Sequence, residues 1–490
     1  MIFSLGLINS SFGQISFEYD LSTPLDDHIG CGFCDSNNDV VFPGWSYKEN
    51  SGSNANFLLK FYPDGTEKMV YIDGNDSLLC FCVGVELYQE GYFFVGAKIS
   101  EAFPDSTMRL VVLKTDYDLN VIGIKDFSLP DTYTQLDTRF AITLDNNGSI
   151  VVALGLGRKE QGIYRYDYGF YRFTTGLDLL SYKILDTFSR AIPYCIKRMN
   201  NSSNLMVIGT GYLSWAEGEL LFIDEDFNFI RANRIHTLGD FFYSEGWLSD
   251  TTFLIAERKT IDNGTYDEGQ FRIGRMDTSA VYYESFVVDH PDTIDYVMDH
   301  FGMSYLNDTT VYLCGFNVDN GFGFDKPKII FLYLLDRDLN LKRRLELGND
   351  HFYWGRGVIA TKDGGCMIWA QKLQIPYNGW LNDHHFWKVM PDDLNIVTRV
   401  TDVPNPDFNS VVWPNPAADI VNIDISAMEN GSNLRLAIYD ASGRKCFDAT
   451  EVVSGRFLEV NLRSLPAGVY LYVVTSKNEV DRISGKFIKN

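Results

Sequence analysis

Closely spaced carboxylates are the first candidate chemistry in this sequence. Four segments combine two Asp residues with an Asn: Asp116-Asp118-Asn120, Asp224-Asp226-Asn228, Asp336-Asp338-Asn340 and Asp392-Asp393-Asn395. Oxygen ligands at this spacing could hold Ca²⁺, but the sixth-position Gly and the distal Glu of an EF-hand are missing. Asp and Asn also form hairpin turns by binding their own backbone. Because the segments recur in phase, we interpret them as turns and predict no cofactor, with Ca²⁺ as the alternative.

Thiols and imidazoles are the next candidates for metal or redox chemistry. Cys31, Cys34, Cys80 and Cys82 fall on neighbouring predicted strands, but a strand would send Cys31 and Cys34 to opposite faces, which disfavours a four-ligand site. We therefore predict buried free thiols, with one disulfide among the four as the alternative. The seven histidines show no metal spacing beyond His384-His385, which a strand also separates.

Complete catalytic motifs are missing from the sequence. It contains no His-Glu-x-x-His helix, no Gly-x-Ser-x-Gly elbow and no Gly-rich phosphate loop. The 65 acidic residues leave paired carboxylates for glycoside hydrolysis as an alternative, but their abundance by itself favours no enzyme class. The question of enzymatic activity therefore stays open, and the sequence leans toward a protein that is not an enzyme.

Two arginines and two tryptophans are candidates for ligand binding. Arg139 and Arg356 share one position of the repeat described below with Cys82, Cys195, Phe242 and Phe301. We predict that this position faces a central channel, where guanidinium groups bind carboxylate or phosphate; the alternative is that acids such as Asp137 neutralise them. Trp215 and Trp380 lie in aromatic segments that suit sugars or protein partners.

The elements that must position these residues repeat seven times. A turn residue, four mainly apolar residues and a small residue occur at 39–44, 91–96, 148–153, 204–209, 251–256, 310–315 and 365–370. A second apolar strand that enters an acidic or Gly-containing turn follows each of them. Units of this length, with short strands and no amphipathic helix, are typical of β-propeller blades. We predict an all-β, seven-bladed propeller over residues 14–402; eight blades or two smaller β domains are the alternatives.

Ring closure can also be predicted. The segment 14–20 resembles the outer strands that end the repeats, so it could complete the last blade, in competition with 396–400. Upstream of it, residues 1–13 combine an apolar run with small residues and are interpreted as a signal-peptide remnant; the alternative is a terminal segment or a first strand. No run of eighteen apolar residues indicates a transmembrane helix.

Charge separates the body from the tail. From Val411 onward the sequence has 9 basic and 9 acidic residues, so the whole net charge of -23 lies upstream. This contrast supports two modules joined by a linker at 403–410. A strongly acidic body would repel a phosphate backbone, so a nucleic-acid partner is not expected.

The tail, residues 411–490, alternates short apolar segments with turns, as expected for a small immunoglobulin-like β-sandwich. Four motifs follow in order: Trp413-Pro414-Asn415-Pro416, Asp440-Ala441-Ser442-Gly443-Arg444, Pro466-Ala467-Gly468-Val469-Tyr470 and Gly485-Lys486. Together they resemble the type A C-terminal sorting domain of the bacterial type IX secretion system. The alternative is an ordinary sandwich that caps the body.

The resemblance implies export through the periplasm and across the outer membrane, to the medium or the cell surface, with the secretion machinery as partner. It also implies that sorting depends on Pro414, Asn415, Pro416, Asp440, Gly443, Arg444, Pro466, Gly468, Tyr470, Gly485 and Lys486. For the exported body we predict a protein- or glycan-binding module. The alternative is an extracellular hydrolase or lyase that acts on glycan or peptide through acids in the propeller funnel.

Overall fold

The computed structural model describes most of the chain as two compact units, residues 1–397 and 398–490. Described are residues 16–22, 26–47, 54–72, 78–99, 108–160, 163–186, 191–199, 202–210, 218–235, 242–249, 251–261, 268–288, 293–298, 301–319, 328–348, 350–373, 383–396, 412–425, 433–440, 445–452, 456–476 and 482–490. Apart from a 3-10 helix at Pro391–Asp393, the elements of these residues are β-strands. The predicted all-β class is confirmed.

The strands of the first unit form antiparallel sheets that follow one another along the chain. After β1 (Phe17–Leu21), the first sheet contains β2 (Asp26–Ile29), β3 (Phe33–Cys34), β4 (Val40–Tyr47), β5 (Asn54–Phe61) and β6 (Glu67–Ile72). The second contains β7 (Leu78–Leu87), β8 (Gly91–Ile99), β9 (Arg109–Thr115) and β10 (Val121–Ser128). The third contains β11 (Gln135–Leu144), β12 (Ile150–Glu160), β13 (Ile163–Phe173) and β14 (Leu179–Leu185).

Four further sheets complete this unit. The fourth contains β15 (Ile192–Arg198), β16 (Leu205–Thr210), β17 (Gly218–Ile223) and β18 (Phe229–Arg234), and the fifth contains β19 (Phe242–Trp247), β20 (Thr252–Ile261), β21 (Glu268–Asp277) and β22 (Tyr282–Val288). The sixth contains β23 (Thr293–Val297), β24 (Met303–Asn307), β25 (Thr310–Asp319), β26 (Ile329–Leu335) and β27 (Leu341–Gly348). The seventh contains β28 (Phe352–Ala360), β29 (Cys366–Leu373) and β30 (Asp383–Val389).

Apolar packing joins these sheets into a closed ring. Each buried cluster of the unit draws its residues from two successive sheets; Val41 and Phe94, for example, belong to a cluster between the first and second sheets. The last cluster joins the seventh sheet to the first, through residues such as Trp369 and Phe42, whose ring centroids are 5.1 Å apart. A four-stranded sheet cannot cover both of its faces alone, so this cyclic packing is what makes the β-propeller stable.

The N-terminal segment closes the ring. Strand β1 pairs with β30 as the outer strand of the seventh sheet, and Tyr19 lies opposite Phe386. Of the competing segment 396–400, the structure describes Ile396, which belongs to β31 (Asn395–Ile396) and pairs with β27 of the sixth sheet. The predicted closure by the segment 14–20 is therefore confirmed for its described residues. It ties the first strand to the last sheet through main-chain hydrogen bonds.

The acidic segments are turns in three of the four cases. The Oδ1 atom of Asp116 accepts the backbone N–H groups of Asp118 at 2.9 Å and Asn120 at 2.8 Å. Asp224 and Asp336 bind their own turns in the same way. The fourth segment differs, because Pro391 starts a 3-10 helix in which Asp393 Oδ2 accepts the N–H of Met390 at 2.7 Å. A proline fixes φ and suits the first position of such a helix.

The second unit is a small β-sandwich. One sheet contains β32 (Val412–Trp413), β33 (Ile420–Asp424) and β36 (Phe457–Asn461); the other contains β34 (Asn433–Asp440), β35 (Lys445–Val452), β37 (Gly468–Ser476) and β38 (Arg482–Lys489). Val421, Ile423, Leu436, Ile438 and Tyr472 belong to the core between them. The alternation of buried and exposed side chains along β36 shows why this sequence forms a two-layer structure.

Candidate functional site

A cavity of about 300 Å³ lies among the innermost strands of the propeller. Its wall comprises His28, Ile29, Gly30, Cys31, Trp45, Cys82, Arg139, Phe140, Pro193, Tyr194, Phe301, Arg356 and His384. These residues come from strands or connections of six sheets, so the cavity exists only because the ring is closed. It combines two cations with aromatic and apolar surface, a composition typical of small-ligand sites.

Bulges in the inner strands deliver side chains to this cavity. The pairing register shifts between Phe81 and Val83, between Leu136 and Phe140, between Pro193 and Cys195, and between Gly355 and Gly357. The residues within these bulges include Cys82, Arg139, Tyr194 and Arg356, and all four line the cavity. A bulge inserts an extra residue and re-aims its side chain. The propeller therefore uses the same device in four sheets to build one wall.

The predicted channel position is largely found at this wall. Cys82, Arg139, Phe301 and Arg356 line the cavity, whereas Cys195 is replaced there by its neighbour Tyr194. The bulge between Pro193 and Cys195 explains this difference of one residue. The side chain of Phe242 lies outside the described part of the structure, as do Trp215, Trp380, Gly443, Arg444 and the segments 1–13 and 403–410.

Both arginines contact neutral side chains in the described structure. Arg139 Nη1 donates to the Tyr194 hydroxyl at 3.2 Å, and its guanidinium carbon lies 5.4 Å from the centroid of the same ring. Arg356 Nη2 donates to Gln371 Oε1 at 2.7 Å. Asp137, the acid considered as a neutralising partner, accepts the backbone N–H of Arg139 at 3.0 Å. These contacts orient both guanidinium groups.

His384 adds a neutral acceptor to the wall. Its ring is buried, and Nε2 lies 3.1 Å from the backbone oxygen of Asp27. Because a carbonyl oxygen only accepts, Nε2 carries the proton and Nδ1 has a lone pair. Nδ1 is buried and makes no hydrogen bond within the described structure. Burial, assisted by the nearby Arg356, lowers the pKa of His384 to about 3, so the ring is neutral near pH 7.

The side chains of the adjacent pair His384 and His385 point in different directions, as the sequence predicts. His385 points away from the cavity and contacts Asp20 and Glu18 of β1. On the cavity side, the ring of His28 stacks on Trp45 with centroids 5.3 Å apart and planes 10° apart. Together with Phe140 and Phe301 they give the cavity an aromatic surface. The histidines thus serve the ring closure and the cavity wall separately.

The cysteines are free thiols in the structure. Cys31 and Cys82 both line the cavity, and the Cys31 N–H donates to the backbone oxygen of Cys82 at 2.7 Å. Cys80 is buried, and this burial raises the pKa of its thiol to about 12. Within the described residues, no group of three or more His, Cys, Asp or Glu side chains is arranged to hold a metal ion.

The motifs of the tail meet in the sandwich. Asn415 Oδ1 accepts the N–H of Ile488 in the last strand at 2.9 Å, and the Tyr470 hydroxyl donates to the backbone oxygen of Pro466 at 2.8 Å. A Cβ atom on Gly485 would lie 2.4 Å from the Tyr472 hydroxyl oxygen, which explains the glycine. The first and last motifs are therefore joined although 73 positions separate Asn415 from Ile488.

Comparison with known proteins identifies the tail. Residues 411–490 match the family described as the secretion system C-terminal sorting domain. These residues are a sorting domain of the type IX secretion system. The protein is accordingly exported by that system, as a secreted or cell-surface protein, and its tail interacts with the secretion machinery. The described part of the chain has no helix with the length and hydropathy needed to cross a membrane.

Several solved structures are distantly similar to the chain. No curated protein matches it. A fungal alcohol oxidase of the AA5 family, solved with copper, has a TM-score of 0.46 at 10% identity and covers 98% of this chain and 100% of its own. Pyrococcus horikoshii acylaminoacyl peptidase has a TM-score of 0.42 at 10% identity, with coverages of 83% and 59%. The β-propeller domain of the Pyrococcus furiosus trilobed protease has a TM-score of 0.39 at 10% identity, with coverages of 79% and 99%.

Proposed function

We propose that the exported propeller, residues 14–402, is a binding module that takes a group of a glycan or a protein into its axial cavity. One observation supports this proposal most directly. Arg139 and Arg356, which belong to different sheets, line the same cavity of about 300 Å³. A guanidinium group binds carboxylate or phosphate groups, so an anionic group on a ligand suits this wall.

Binding is favoured over catalysis by the chemistry of the wall. The alternative, a hydrolase or lyase, needs groups that move protons at the reacting bond. The described wall residues include no Asp or Glu, and His384 is neutral with its proton committed to a backbone oxygen. These groups suit holding a ligand better than transferring protons.

The aromatic segments complete the proposal. Trp215 and Trp380 lie outside the described residues, and we keep them as proposed contacts for the part of the ligand beyond the cavity. Tryptophan side chains supply large contact areas in interfaces and sugar sites. The proposed ligand is therefore one whose anionic group enters the cavity while the remainder contacts Trp215 and Trp380.

A glycan and peptide array, probed with the full chain, tests this function. We expect binding to a defined subset of the array, lost when Arg139→Gln and Arg356→Gln are combined, and weakened by Trp215→Ala or Trp380→Ala. Arg165→Gln is the matched control, because this half-exposed arginine pairs with Glu160 and does not line the cavity. An unchanged array pattern in the double variant, or turnover that one carboxylate substitution abolishes, would contradict the proposal.

A further inference from the structure

We infer that the outer side of the larger sheet of the sorting domain, formed by β34, β35, β37 and β38, is the surface that binds the secretion machinery. Four exposed side chains on neighbouring strands define this docking face: Val469, Leu471, Lys486 and Ile488. The partner we assign to it is a component of that machinery whose contact surface is apolar and bordered by carboxylates. The tail interacts with the machinery, so the contact must use side chains that the fold leaves exposed.

Strands β37 and β38 have a buried and an exposed side. The inward side chains belong to the core of the sandwich: Tyr470, Tyr472 and Phe487. Val469, Leu471 and Ile488 alternate with them and are 47%, 49% and 46% exposed. The solvated side of an antiparallel sheet is ordinarily polar, so packing of the core does not explain these three apolar residues.

The exposed apolar side chains form one patch. Val469 and Ile488 are direct cross-strand partners, and Leu471 follows Val469 by two positions on the same side of β37. The Cβ atoms of direct partners are about 4.5–5.5 Å apart, so their side chains touch. On the other flank of Leu471, the half-buried Tyr439 of β34 is its partner. Contiguous apolar surface of this kind marks sites of interaction with other proteins.

Cations border the patch on both sides. Lys486 of β38 is the cross-strand partner of Leu471, and Lys445 of β35 is the partner of Tyr439, so one row across the sheet begins and ends with an exposed lysine. The tail as a whole has 9 basic and 9 acidic residues from Val411 onward, so this concentration of positive charge is local. Carboxylates around an apolar partner surface would complement it.

The outer side of the smaller sheet has a different construction. Phe457 contacts Trp413, with ring centroids 4.6 Å apart, and the guanidinium carbon of Arg456 lies 5.2 Å from the centroid of the Phe457 ring. Arg456 also forms an ion pair with Asp424 at 2.9 Å. The aromatic rings on this side therefore contact each other and an ion-paired arginine, which makes the smaller sheet a matched control for the docking face.

Export of substituted full-length chains in the native host tests this inference. The variant Val469→Thr/Leu471→Thr/Ile488→Thr removes apolar area but keeps β-branched residues that suit a strand. We expect it to accumulate in the periplasm, with the exported fraction reduced at least about 10-fold, because central apolar contacts carry most of the affinity of an interface. The control Ile420→Thr/Phe457→Thr substitutes side chains that are 40% and 44% exposed on the smaller sheet, and it should be exported normally.

Photo-crosslinking in the native host identifies the partner. A photoreactive amino acid in place of Leu471 should give an adduct with a component of the secretion machinery, identified by mass spectrometry, and the same amino acid in place of Phe457 should not. Lys486→Glu should weaken both the adduct and export, because it reverses the charge at the border of the patch. Arg463→Glu is its control, since this exposed arginine lies outside the docking face and pairs with Asp419 at 3.3 Å.

Thermal melts of the purified full chains separate a lost contact from a lost fold. The triple variant and its control should melt at the same temperature, because both sets of side chains lie outside the core. If the triple variant melts lower, the adduct at position 471 decides, and its absence overturns the inference. Normal export of both the triple variant and Lys486→Glu would also overturn it, as would an adduct between position 471 and the propeller of the same chain. None of these results depends on the ligand of the propeller.

Discussion

Removing the buried charge of Lys60 should cost the propeller a large part of its unfolding free energy. It lies on β5, and its Nζ atom is 2.5 Å from Asp39 Oδ2, with side chains only 4% and 7% exposed. The same ammonium group donates to the Tyr92 hydroxyl at 3.1 Å and to the backbone oxygen of Tyr117 at 3.0 Å. Lys60→Met keeps the apolar stem of the side chain but leaves these acceptors, including a buried carboxylate, without their cation.

The expected loss follows from the balance of burial and attraction. Burial raises the pKa of Asp39 even though the hydrogen bond and charge of Lys60 act to lower it, so desolvation outweighs the attraction at this carboxyl. Breaking a buried ion pair by removing one partner costs about 3–5 kcal/mol, whereas removing both is often close to neutral. Lys60→Met should therefore lose about 3–5 kcal/mol of unfolding free energy, and Lys60→Met with Asp39→Asn should lose about 2–3 kcal/mol less.

Urea denaturation of the full chain, followed by tryptophan fluorescence, measures these values. Lys125→Met is the matched control, because Lys125 makes a 2.7 Å ion pair with Asp178 in which the side chains are 45% and 70% exposed. That variant should change stability by less than about 1 kcal/mol. The reasoning is refuted if Lys60→Met behaves like this control, or if the double variant loses the sum of the two single losses.

Three further predictions concern the ring closure, the cavity wall and export. Burial alone would lower the pKa of His385, but its hydrogen bonds to Asp20 and Glu18 raise it. The stabilisation that protonated His385 gives through these carboxylates is therefore complete below pH 6.5 and is lost as pH rises through the raised pKa. In urea titrations from about pH 6 to 9, the unfolding free energy of His385→Gln should fall less with rising pH than that of the wild type. An identical dependence on pH in the two proteins would count against this role. Gly30→Ala should lose about 1–3 kcal/mol of unfolding free energy, because its Cβ would lie 2.8 Å from the backbone oxygens of Phe81 and Cys82. Gly176→Ala is the control, because its Cβ would make ordinary contacts at 3.5 Å. Equal melting temperatures of the two variants would refute this prediction. Deleting 411–490 should retain the propeller in the periplasm of the native host, as fractionation and immunoblotting would show, and normal surface delivery of the truncated chain would contradict the sorting role.

The repeat pattern gave much of the propeller correctly, because each unit carries its own local signals. The apolar run 91–96 became part of β8 and the run 365–370 part of β29, since buried strands in a sheet need continuous apolar residues. The acidic turn at Asp116 was predictable because an Asp side chain binds the backbone two and four residues ahead. The turn at Asp392 was not, because the preceding proline favours a 3-10 helix.

The cavity was only partly predictable. Counting along the repeat placed Arg139 and Arg356 near the axis, but it pointed to Cys195 where the structure has Tyr194. A bulge changes the count by one residue and has no distinct sequence signature. His384 was also missed as a wall residue, because it belongs to β30, the third strand of its sheet. The packing of that sheet in the ring is what places His384 at the cavity.

The sequence by itself determined the class of each unit and the destination of the protein. Strand periodicity and turn residues act over a few positions, and the sorting motifs are read in order along the tail. Only the tertiary structure decided which side chains share the axial cavity and which carboxylate neutralises Lys60. The cavity residues are far apart in sequence, and ring closure, a cooperative result of apolar packing between seven sheets, brings them together. Lys60 and Asp39 instead meet through the pairing of β4 with β5.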